Sequence, residues 1–415
     1  MRILYISQYF PPEMGAPAAR ASELARHWVH AGHQVSVLTG FPNHPTGVVP
    51  SEWRSRLRRL TFHEKVEGID VFRTWLWPLP NRKAHERMRN YASFCLSAAI
   101  RGLTLPRPDV IVASSPQLLV GLSGWWLAFA RQIPFAFEVR DLWPESLVAV
   151  GAGREGSLLH TVLGKIAGFL YECANLIVVV TPAFKDHLMN HWRVPSEKIA
   201  VIENGVETDL FAPARADIIT ATRRQLGAES KYLVCYIGTM GMAHGLEILL
   251  AAAAQLRNSH PEVLFLLIGE GAEKERIRSL ALSRGLDNVQ FLDQQPREKI
   301  PALISASNAC LVLLKRTDVF KTVIPTKMLE FMSCARPVIL GVEGQARQIV
   351  EESSAGLVIE PENAAALAGA VDQLIGNPAL GPALGQKGRE YIVRNFSRDR
   401  TAEKYIGVLE GMLGE

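Results

Sequence analysis

Short apolar segments alternate with amphipathic segments along the first half of the chain. The apolar segments are rich in Val, Ile and Phe, and they predict strands at residues 2–7, 34–39, 109–114, 134–139 and 175–180. Between the first two strands, the pattern predicts a helix from about Pro17 to Ala31, which Gly32 ends. The later strands are apolar at nearly every position, which is typical of a parallel sheet with helices on both faces.

The pattern breaks at residues 202–214 and then restarts. The break contains the turn signal Asn204-Gly205 and Pro213. Beyond it the sequence predicts a helix at 246–256, a last helix at 397–413, and strands at 231–238, 262–269, 288–293, 308–314 and 336–341. At 415 residues the chain is also too long for one ordinary core. We therefore predict an α/β protein with two Rossmann-like, doubly wound domains, residues 1–205 and 206–396, with a closing helix of about 397–415 packed on the first.

In sheets of this kind, ligands bind beyond the carboxyl ends of the strands. With two such domains, the expected site is the cleft between them, and domain closure about residues 203–213 would assemble it. The loops that follow predicted strands are therefore the candidates for chemistry.

The loop GTMGMAHG, residues 238–245, precedes a helix in the second half. It matches neither the dinucleotide fingerprint nor a P-loop. Its glycines leave the backbone bare at Gly238, Gly241 and Gly245. We interpret it as a diphosphate cradle of another type, in which Thr239 or His244 donates a hydrogen bond. For a lone histidine such as His244, a structural role is the alternative.

Two loops of the first half are further candidates. In YFPPEMGAPAAR (9–20), Gly15 leaves the backbone open at the start of a helix, whose N–H groups and dipole favour an anion. A loop that merely turns the chain is the alternative. EVRDLWPES (138–146) concentrates charge at the end of a buried strand, which is typical of functional sites. Its charged residues are Glu138, Arg140, Asp141 and Glu145.

The segment IPTKMLEFMSCARPVILG, residues 324–341, carries two charges at the start of an otherwise apolar helix. If Thr326 caps this helix, Lys327 and Glu330 occupy its first and fourth positions. A cation there opposes the helix dipole, so Lys327 is unfavourable unless an anion such as phosphate is bound. Glu330 suits sugar hydroxyls, because a carboxylate accepts several hydrogen bonds. Alternatively, Glu330 only complements the dipole and Lys327 is a solvated charge.

Composition narrows the class of protein. With 48% hydrophobic and 21% charged residues, the chain is an ordinary globular protein. The net charge is only +4, but residues 51–110 hold twelve Lys or Arg against six Asp or Glu. This region is either a solvated face or a surface for phosphates or an anionic membrane. No basic motif of a nucleic-acid-binding module is present, and the five cysteines form no CxxC pair that would indicate zinc.

Targeting and membrane signals are weak. The first ten residues do not read as a signal peptide. The longest apolar run, LLVGLSGWWLAFA at 118–130, is too short to cross a bilayer. It predicts a buried helix, with a membrane-contacting helix as the alternative.

Taken in order, these segments resemble the family 4 glycosyltransferases of the GT-B fold over essentially the full chain. The matching blocks are QYFPPEMGAPAARASELARHWVHAGHQVSVLTGFPNHP, DLWPES, ENGVETDLF, GTMGMAHGLEILLAA, FLLIGEGAEKERI and PTKMLEFMSCARPVI. Within the family, the chain is similar to bacterial enzymes of surface-polysaccharide assembly, such as those of colanic acid and O-antigen. Some of these are fucosyl or N-acetylfucosaminyl transferases.

The resemblance implies retaining transfer from a nucleotide-sugar, most often a UDP-sugar, to a polyprenyl-diphosphate-linked saccharide. It implies donor binding in the second domain, acceptor binding in the first, two domains facing across a cleft, and neither metal nor cofactor. The sequence contains no DxD motif. Protein cations and N–H dipoles would then neutralise the leaving diphosphate.

The resemblance also assigns individual residues. Glu330 matches the second glutamate of the family's E-x7-E motif, which holds the ribose, and Lys327 lies beside the diphosphate. Arg140 and Asp141 stand near the place where several relatives have a histidine close to the reacting carbon, so they and Glu330 are the predicted catalytic residues. The predicted donor-binding residues are Gly15, Gly238, Thr239, Gly241, His244, Glu270, Thr326, Lys327 and Glu330. Thr322 replaces the motif's first glutamate, and Thr239 and His244 stand near the places of the usual basic pair, which leaves the donor sugar open.

The expected location is the cytoplasm, with attachment to the inner face of the cytoplasmic membrane as a hypothesis. This hypothesis rests on the basic segments 54–60 and 81–94, which mix Arg or Lys with apolar residues as interfacial helices do.

Two alternative functions remain open. An epimerase of UDP-N-acetylhexosamines shares the fold but needs no acceptor. A non-catalytic periplasmic sugar-binding protein is disfavoured by the missing signal peptide and unpaired cysteines.

Overall fold

The computed structural model describes residues 1–44, 47–79, 84–149 and 154–414, and the chain divides into two compact units. Unit 1 consists of Met1–Asn204 and Arg398–Glu415, and unit 2 is Gly205–Ser397. No helix within the described ranges is long and apolar enough to cross a membrane.

Unit 1 contains an eight-stranded sheet. Its strands are β1 (Arg2–Ile6), β2 (Gln34–Gly40), β3 (Thr61–Val66), β4 (Ile69–Thr74), β5 (Val110–Ser114), β6 (Phe135–Val139), β7 (Leu176–Val179) and β8 (Ile199–Val201). They lie in the order β3-β4-β2-β1-β5-β6-β7-β8, and all neighbouring pairs except β3–β4 are parallel. The helices between them are α1 (Ala16–His30), α2 (Ser51–Leu57), α3 (Ala84–Gly102), α4 (Val120–Arg131), α5 (Glu145–Ala149), α6 (Leu158–Cys173) and α7 (Pro182–Trp192).

The antiparallel strand β3 was not predicted, so the expectation of a fully parallel sheet was wrong for unit 1. Glu67 and Gly68 join β3 to β4 with φ values of 49° and 83°. A two-residue turn with both φ values positive matches the twist of a hairpin. β3 alternates exposed and half-buried positions, as expected for a strand at the edge of a sheet.

Unit 2 contains a six-stranded sheet that is parallel throughout. Its strands are β9 (Tyr232–Ile237), β10 (Val263–Ile268), β11 (Val289–Leu292), β12 (Ala309–Leu313), β13 (Val338–Gly341) and β14 (Gly356–Val358), in the order β11-β10-β9-β12-β13-β14. Its helices are α8 (Ala216–Gln225), α9 (Glu247–Ser259), α10 (Lys274–Ser283), α11 (Ile300–Ala306), α12 (Asp318–Lys321), α13 (Thr326–Ser333), α14 (Gln345–Ser353), α15 (Ala364–Gly376) and α16 (Leu380–Asn395).

Successive residues of β9 enter two different hydrophobic clusters. Leu233 and Cys235 belong to one, while Val234 and Tyr236 belong to the other. Both faces of the strand are therefore buried, which explains why the sequence is apolar without alternation. β9 lies between β10 and β12. The chain passes from β9 to β10 on one side and later returns from β11 to β12 on the other side, so the carboxyl end of β9 is the switch point at which such sheets bind ligands.

The last helix, α17 (Arg398–Leu413), belongs to unit 1. Tyr405 is buried against Trp28 of α1, with ring centroids 5.1 Å apart. The indole nitrogen of Trp28 donates a hydrogen bond to the carbonyl of Ala402, and Arg398 forms a buried ion pair with Glu23 at 2.8 Å. The end of the chain thus completes the core around α1.

A second buried ion pair ties α1 to the carboxyl end of β6. Arg20 Nη2 lies 2.7 Å from Glu138 Oε1, and the two side chains are 1% and 0% exposed. Tyr5 donates a hydrogen bond to the same carboxylate, and Arg20 also donates to the carbonyl of Ile202. Burial alone would raise the pKa of Glu138, but the cations of Arg20 and Arg140 outweigh it, so the pKa is lowered and the carboxylate stays ionised. Glu138 is therefore a structural residue.

We expect Arg20→Met to destabilise unit 1 by about 3–5 kcal/mol, because it leaves the Glu138 carboxylate buried without its cation. The double variant Arg20→Met/Glu138→Gln removes both charges and should recover much of the loss. Urea unfolding followed by circular dichroism measures both. Equal losses in the single and double variants would contradict this account of the pair.

Candidate active site

Two loops meet at the switch point of unit 2, and glycine lets them approach. Gly238 follows β9, and Gly269 and Gly271 follow β10. A Cβ at Gly269 would lie 2.1 Å from the Gly238 carbonyl oxygen, and one at Gly271 would lie 2.3 Å from that of Met240. All three glycines have φ between 142° and 155°. The backbone at the end of β9 is therefore bare and closely packed against its neighbour.

Lys327 points its ammonium group at this bare backbone. Its Nζ lies 4.0 Å from the ring centroid of Tyr236, and a Cβ on Gly238 would lie 3.2 Å from it. The nitrogen is buried and has no hydrogen-bond partner in the described part of the chain. Burial lowers the pKa of Lys327 to about 7, and the Glu330 carboxylate offsets only part of this effect. The structure thus brings together two predicted donor-site residues, Gly238 and Lys327.

Thr326 does not cap α13. Pro325 is the N-cap residue, Thr326 is the first helical residue, and no side chain caps the helix. The φ of Pro325, −63°, would fit a helix, but its extended ψ of 121° leaves this residue just outside the helix. The predicted capping role was wrong, and Lys327 and Glu330 fall one position later than expected.

Glu330 lies one turn after Lys327, with a side chain that is 13% exposed. Arg297 was not singled out in the sequence, yet its Nη1 lies 3.1 Å from Glu330 Oε1. The guanidinium of Arg297 lies over the ring of Phe211, 4.9 Å from its centroid. Arg297 opens a 3-10 turn after β11, so the general rule about loops after strands could have found it.

His244 ends a 3-10 turn that begins at Met242. Its ring packs edge-on against Tyr236 at 5.9 Å, and its Nδ1 is buried without a hydrogen-bond partner in the described ranges. Burial and the nearby charge of Lys327 lower the pKa of His244 to about 3, against the opposing effect of the Leu313 carbonyl. The imidazole is therefore neutral, and because its one N–H is given to the Leu313 carbonyl, the buried Nδ1 can only accept a hydrogen bond.

Thr239, Gly241 and Glu270 lie on the same two loops. Thr239 is exposed, and its carbonyl accepts a hydrogen bond from Tyr236 Oη at 2.6 Å. Gly241 precedes the turn that contains His244. The Glu270 carboxylate is paired with Lys274 at 2.5 Å, and Lys274 also contacts Asp293 at 2.6 Å. Glu270 is thus already held by a cation of its own unit.

Arg140 and Asp141 lie at the carboxyl end of β6 in unit 1. The Arg140 amide donates to Ser115 Oγ at 2.8 Å, and Nη2 reaches the carbonyl of Ala16 at 3.4 Å, next to Gly15. Arg140 Nε and Nη1 are buried without a hydrogen-bond partner in the described ranges. Burial raises the pKa of Asp141 to about 6, although Arg140 opposes the shift. The structure therefore brings Gly15, Arg140 and Asp141 together in one unit.

Glu13 holds the loop that carries Gly15, although no pattern in the sequence indicates this role. The buried carboxylate accepts hydrogen bonds from the amides of Asn43 and His44, both at 2.8 Å. Burial raises its pKa to about 7 despite these bonds. Glu13 thus fixes the loop after β1 against the loop after β2.

Among the residues that the structure describes, no group of three or more His, Cys, Asp or Glu side chains is arranged to hold a metal ion.

Comparison with known proteins defines the class. Residues 15–205 match the family "Glycosyl transferase 4-like domain", and residues 218–391 match "Glycosyl transferases group 1". Together these two matches cover most of the chain, and the protein belongs to the group 1 and 4-like glycosyltransferases. Solved structures share the predicted GT-B fold, which is thereby confirmed.

Particular relatives are similar over nearly the whole chain. WcaI of Escherichia coli K12, whose name refers to colanic acid biosynthesis, is 24% identical over 99% of this chain and 100% of its own. Sucrose-phosphate synthase of Thermosynechococcus elongatus superposes with a TM-score of 0.79 at 23% identity, covering 100% of this chain and 99% of that one. HepE of Anabaena in complex with UDP-glucose gives a TM-score of 0.73 at 18% identity, covering 99% and 100%.

The burial of Lys327 should lower the stability of the folded protein even when no ligand is bound. Its pKa of about 7 in the folded protein lies below its ordinary value of 10.5, so the folded protein binds fewer protons than the unfolded chain between these two values. The destabilisation by Lys327 is complete below pH 7 and disappears as the pH rises towards 10.5. We therefore expect Lys327→Met to stabilise unit 2 at pH 6 by a few kcal/mol, on the order of the pKa shift.

Melting temperatures of wild type and Lys327→Met, measured from pH 6 to pH 10, test this. The difference should shrink steadily with rising pH. Lys387→Met, at an exposed position of α16, is the matched control and should show no such trend. A constant or growing difference for Lys327→Met would contradict the burial of an uncompensated ammonium.

Proposed function

We propose that this protein is a retaining glycosyltransferase that moves a sugar from a UDP-sugar to a polyprenyl-diphosphate-linked saccharide during assembly of a bacterial surface polysaccharide. The observation that carries the proposal is the buried Nζ of Lys327, which has no hydrogen-bond partner among the described residues. It lies against the bare backbone of Gly238 at the switch point of a doubly wound sheet. A diphosphate is an anion that such a group would bind.

In this proposal Lys327 binds the leaving diphosphate. An anion beside Nζ raises the pKa of the lysine, so the group becomes charged when the donor binds. The backbone N–H groups near Gly241 add neutral hydrogen bonds, and His244 supports this loop by packing against Tyr236. Because the leaving group is stabilised by a desolvated protein cation, we propose transfer without a metal ion. The nucleotide-sugar is a substrate, and no resident cofactor is needed.

Glu330 would accept hydrogen bonds from the ribose hydroxyls. Arg297 holds its carboxylate at 3.1 Å and is itself stacked on Phe211, so the carboxylate is oriented before the donor arrives. UDP is the proposed nucleotide because HepE, which shares the fold, was crystallised with UDP-glucose. Thr239, Glu270 and Thr326 remain predicted donor contacts in the same unit.

We propose that Arg140 and Asp141 act on the acceptor side. Within the described ranges the Nε and Nη1 groups of Arg140 have no hydrogen-bond partner, while its Nη2 lies 3.4 Å from the Ala16 carbonyl at the start of α1. Phosphate or hydroxyl oxygens of the acceptor would satisfy them. The surface-polysaccharide role is supported by the similarity to WcaI. A lipid-linked acceptor would place the enzyme on the inner face of the cytoplasmic membrane as a peripheral protein.

The direct test is transfer of radiolabelled sugar from UDP-sugars to an undecaprenyl-diphosphate-linked saccharide, with the anomeric configuration of the product read by NMR. We expect transfer with retention, and a loss of at least about 100-fold in kcat/KM for Glu330→Gln, because charge-assisted hydrogen bonds to the ribose are lost. Glu275→Gln, at an exposed position of α10, is the control and should retain activity.

Other outcomes would overturn the proposal. Near wild-type turnover of Glu330→Gln would remove Glu330 from the site. Conversion of UDP-N-acetylhexosamine to its epimer without acceptor would favour the epimerase, and binding of free sugar without any turnover would favour a non-catalytic protein.

Arg297 provides a separate test as a positioning residue. Arg297→Met should weaken UDP binding about tenfold, because Glu330 loses the partner that orients it. It should raise KM for the donor more than it lowers kcat, and Arg297→Lys should restore only part of the affinity because lysine lacks the planar fork. Calorimetric titration with UDP and steady-state kinetics measure both effects. Unchanged UDP affinity in Arg297→Met would contradict the positioning role.

A further inference from the structure

Three helices of unit 1 lie side by side and form one layer. α3 packs on α4 where a Cβ at Gly102 would lie 2.3 Å from Leu127. α4 packs on α6 through Trp125 and Phe169, whose ring centroids are 4.8 Å apart. α4 is therefore the central helix of this layer.

The outer surface of the layer is apolar. We call it the apolar face, and it consists of Leu96, Ile100, Trp126, Phe129, Val162 and Phe169. Their exposed fractions are 65%, 61%, 40%, 68%, 44% and 36%. Single exposed apolar residues are ordinary. These six occupy three adjacent helices, and ring contacts of Trp125 join Phe129 of α4 to Phe169 of α6, so we read them as a patch of the kind that marks an interaction site.

α4 was predicted to be a buried helix, and the structure corrects this. Gly121, Gly124 and Leu127 are buried against the sheet and its neighbours. Trp126 and Phe129 lie on the opposite side of the helix and remain exposed. Tryptophan and phenylalanine on an exposed face are typical of helices that enter the headgroup region of a bilayer.

The helices that carry the apolar face are positively charged overall. The basic residues of α3, α4 and α6 are Arg87, Arg89, Arg101, Arg131 and Lys165, and their acidic residues are Glu86 and Glu172. Burial and the nearby charge of Arg107 both lower the pKa of Arg131. An apolar face on positively charged helices suits the surface of an anionic bilayer.

We infer that the apolar face of α3, α4 and α6 is the surface through which this protein docks on an anionic lipid bilayer. The inference rests on the proposed lipid-linked acceptor, which would lie in that bilayer. A second copy of the chain is a poorer occupant. In a twofold interface each patch faces itself, so the positively charged helices of the two copies would be brought against one another.

The basic segment 54–60 does not provide such a surface by itself. Trp53, next to it in α2, is buried in a small cluster with Phe41, and Arg56 lies over the Trp53 ring at 4.6 Å. Only Leu60 is a strongly exposed apolar residue there. Residues 81–83 of the other basic segment, 81–94, lie outside the described residues.

The test is flotation of the full-length protein with vesicles of phosphatidylcholine alone or mixed with phosphatidylglycerol, at low salt. We expect wild type to float with the anionic vesicles only. Trp126→Ser/Phe129→Ser should lower the partition coefficient at least about tenfold, since two large apolar side chains no longer enter the bilayer. The matched control is Leu282→Ser, at a 74% exposed position of α10 in unit 2, which should float like wild type.

Three results would overturn the inference: no flotation of wild type, undiminished flotation of the double variant, or a wild-type dimer in solution that the double variant converts to monomer. The last would assign the face to a second copy of the chain. Thermal stabilisation by UDP, measured on the same samples, separates this inference from the proposed function. Unchanged stabilisation in the double variant shows that it is folded and still binds donor, whereas failure of UDP to stabilise any variant would count against the donor site instead.

Discussion

The candidate site depends on one constraint, the burial of the Lys327 ammonium group with no hydrogen-bond partner in the part of the chain that the structure describes. Desolvating a charge costs several kcal/mol unless it is compensated. For Lys327 the nearest compensation is the quadrupole of the Tyr236 ring and the field of Glu330, and its pKa nevertheless falls to about 7. We therefore expect a bound ligand to compensate the charge of Lys327. Lys327 packs directly against the bare backbone of Gly238, and we propose that an anion bound at this loop completes the group.

The surrounding residues follow from that constraint. The loops after β9 and β10 pack closely at Gly269 and Gly271, where a Cβ would collide with the backbone of the other loop. Their backbone N–H groups therefore have little freedom to move. His244 is kept neutral partly by the charge of Lys327, and Arg297 fixes the carboxylate of Glu330. The site is thus organised before a ligand arrives. Preorganised dipoles and charges of this kind stabilise a leaving group without rearranging during the reaction.

Much of the fold could be predicted from the sequence because buried parallel strands are apolar at every position and glycine marks the loops after them. Lys327 and Glu330 could be found because charges at the start of an apolar helix are conspicuous. Arg297 could be found only as one residue of the loop after β11, because its role depends on Phe211 and Glu330, which are distant in the chain. The β3 hairpin was missed because its turn, Glu67-Gly68, lies in a polar stretch. The exposure of Trp126 and Phe129 could not be predicted, because the segment 118–130 is apolar on all sides of the helix.

The most direct test of the account is the number of protons taken up when UDP binds, measured by calorimetry at pH 8 in buffers of different ionisation enthalpy. At that pH Lys327 is mostly neutral in the free protein and becomes charged beside the diphosphate. We expect wild type to take up about one proton more than Lys327→Met. Equal proton uptake by the two proteins, with UDP bound to both, would contradict the placement of the diphosphate at Lys327.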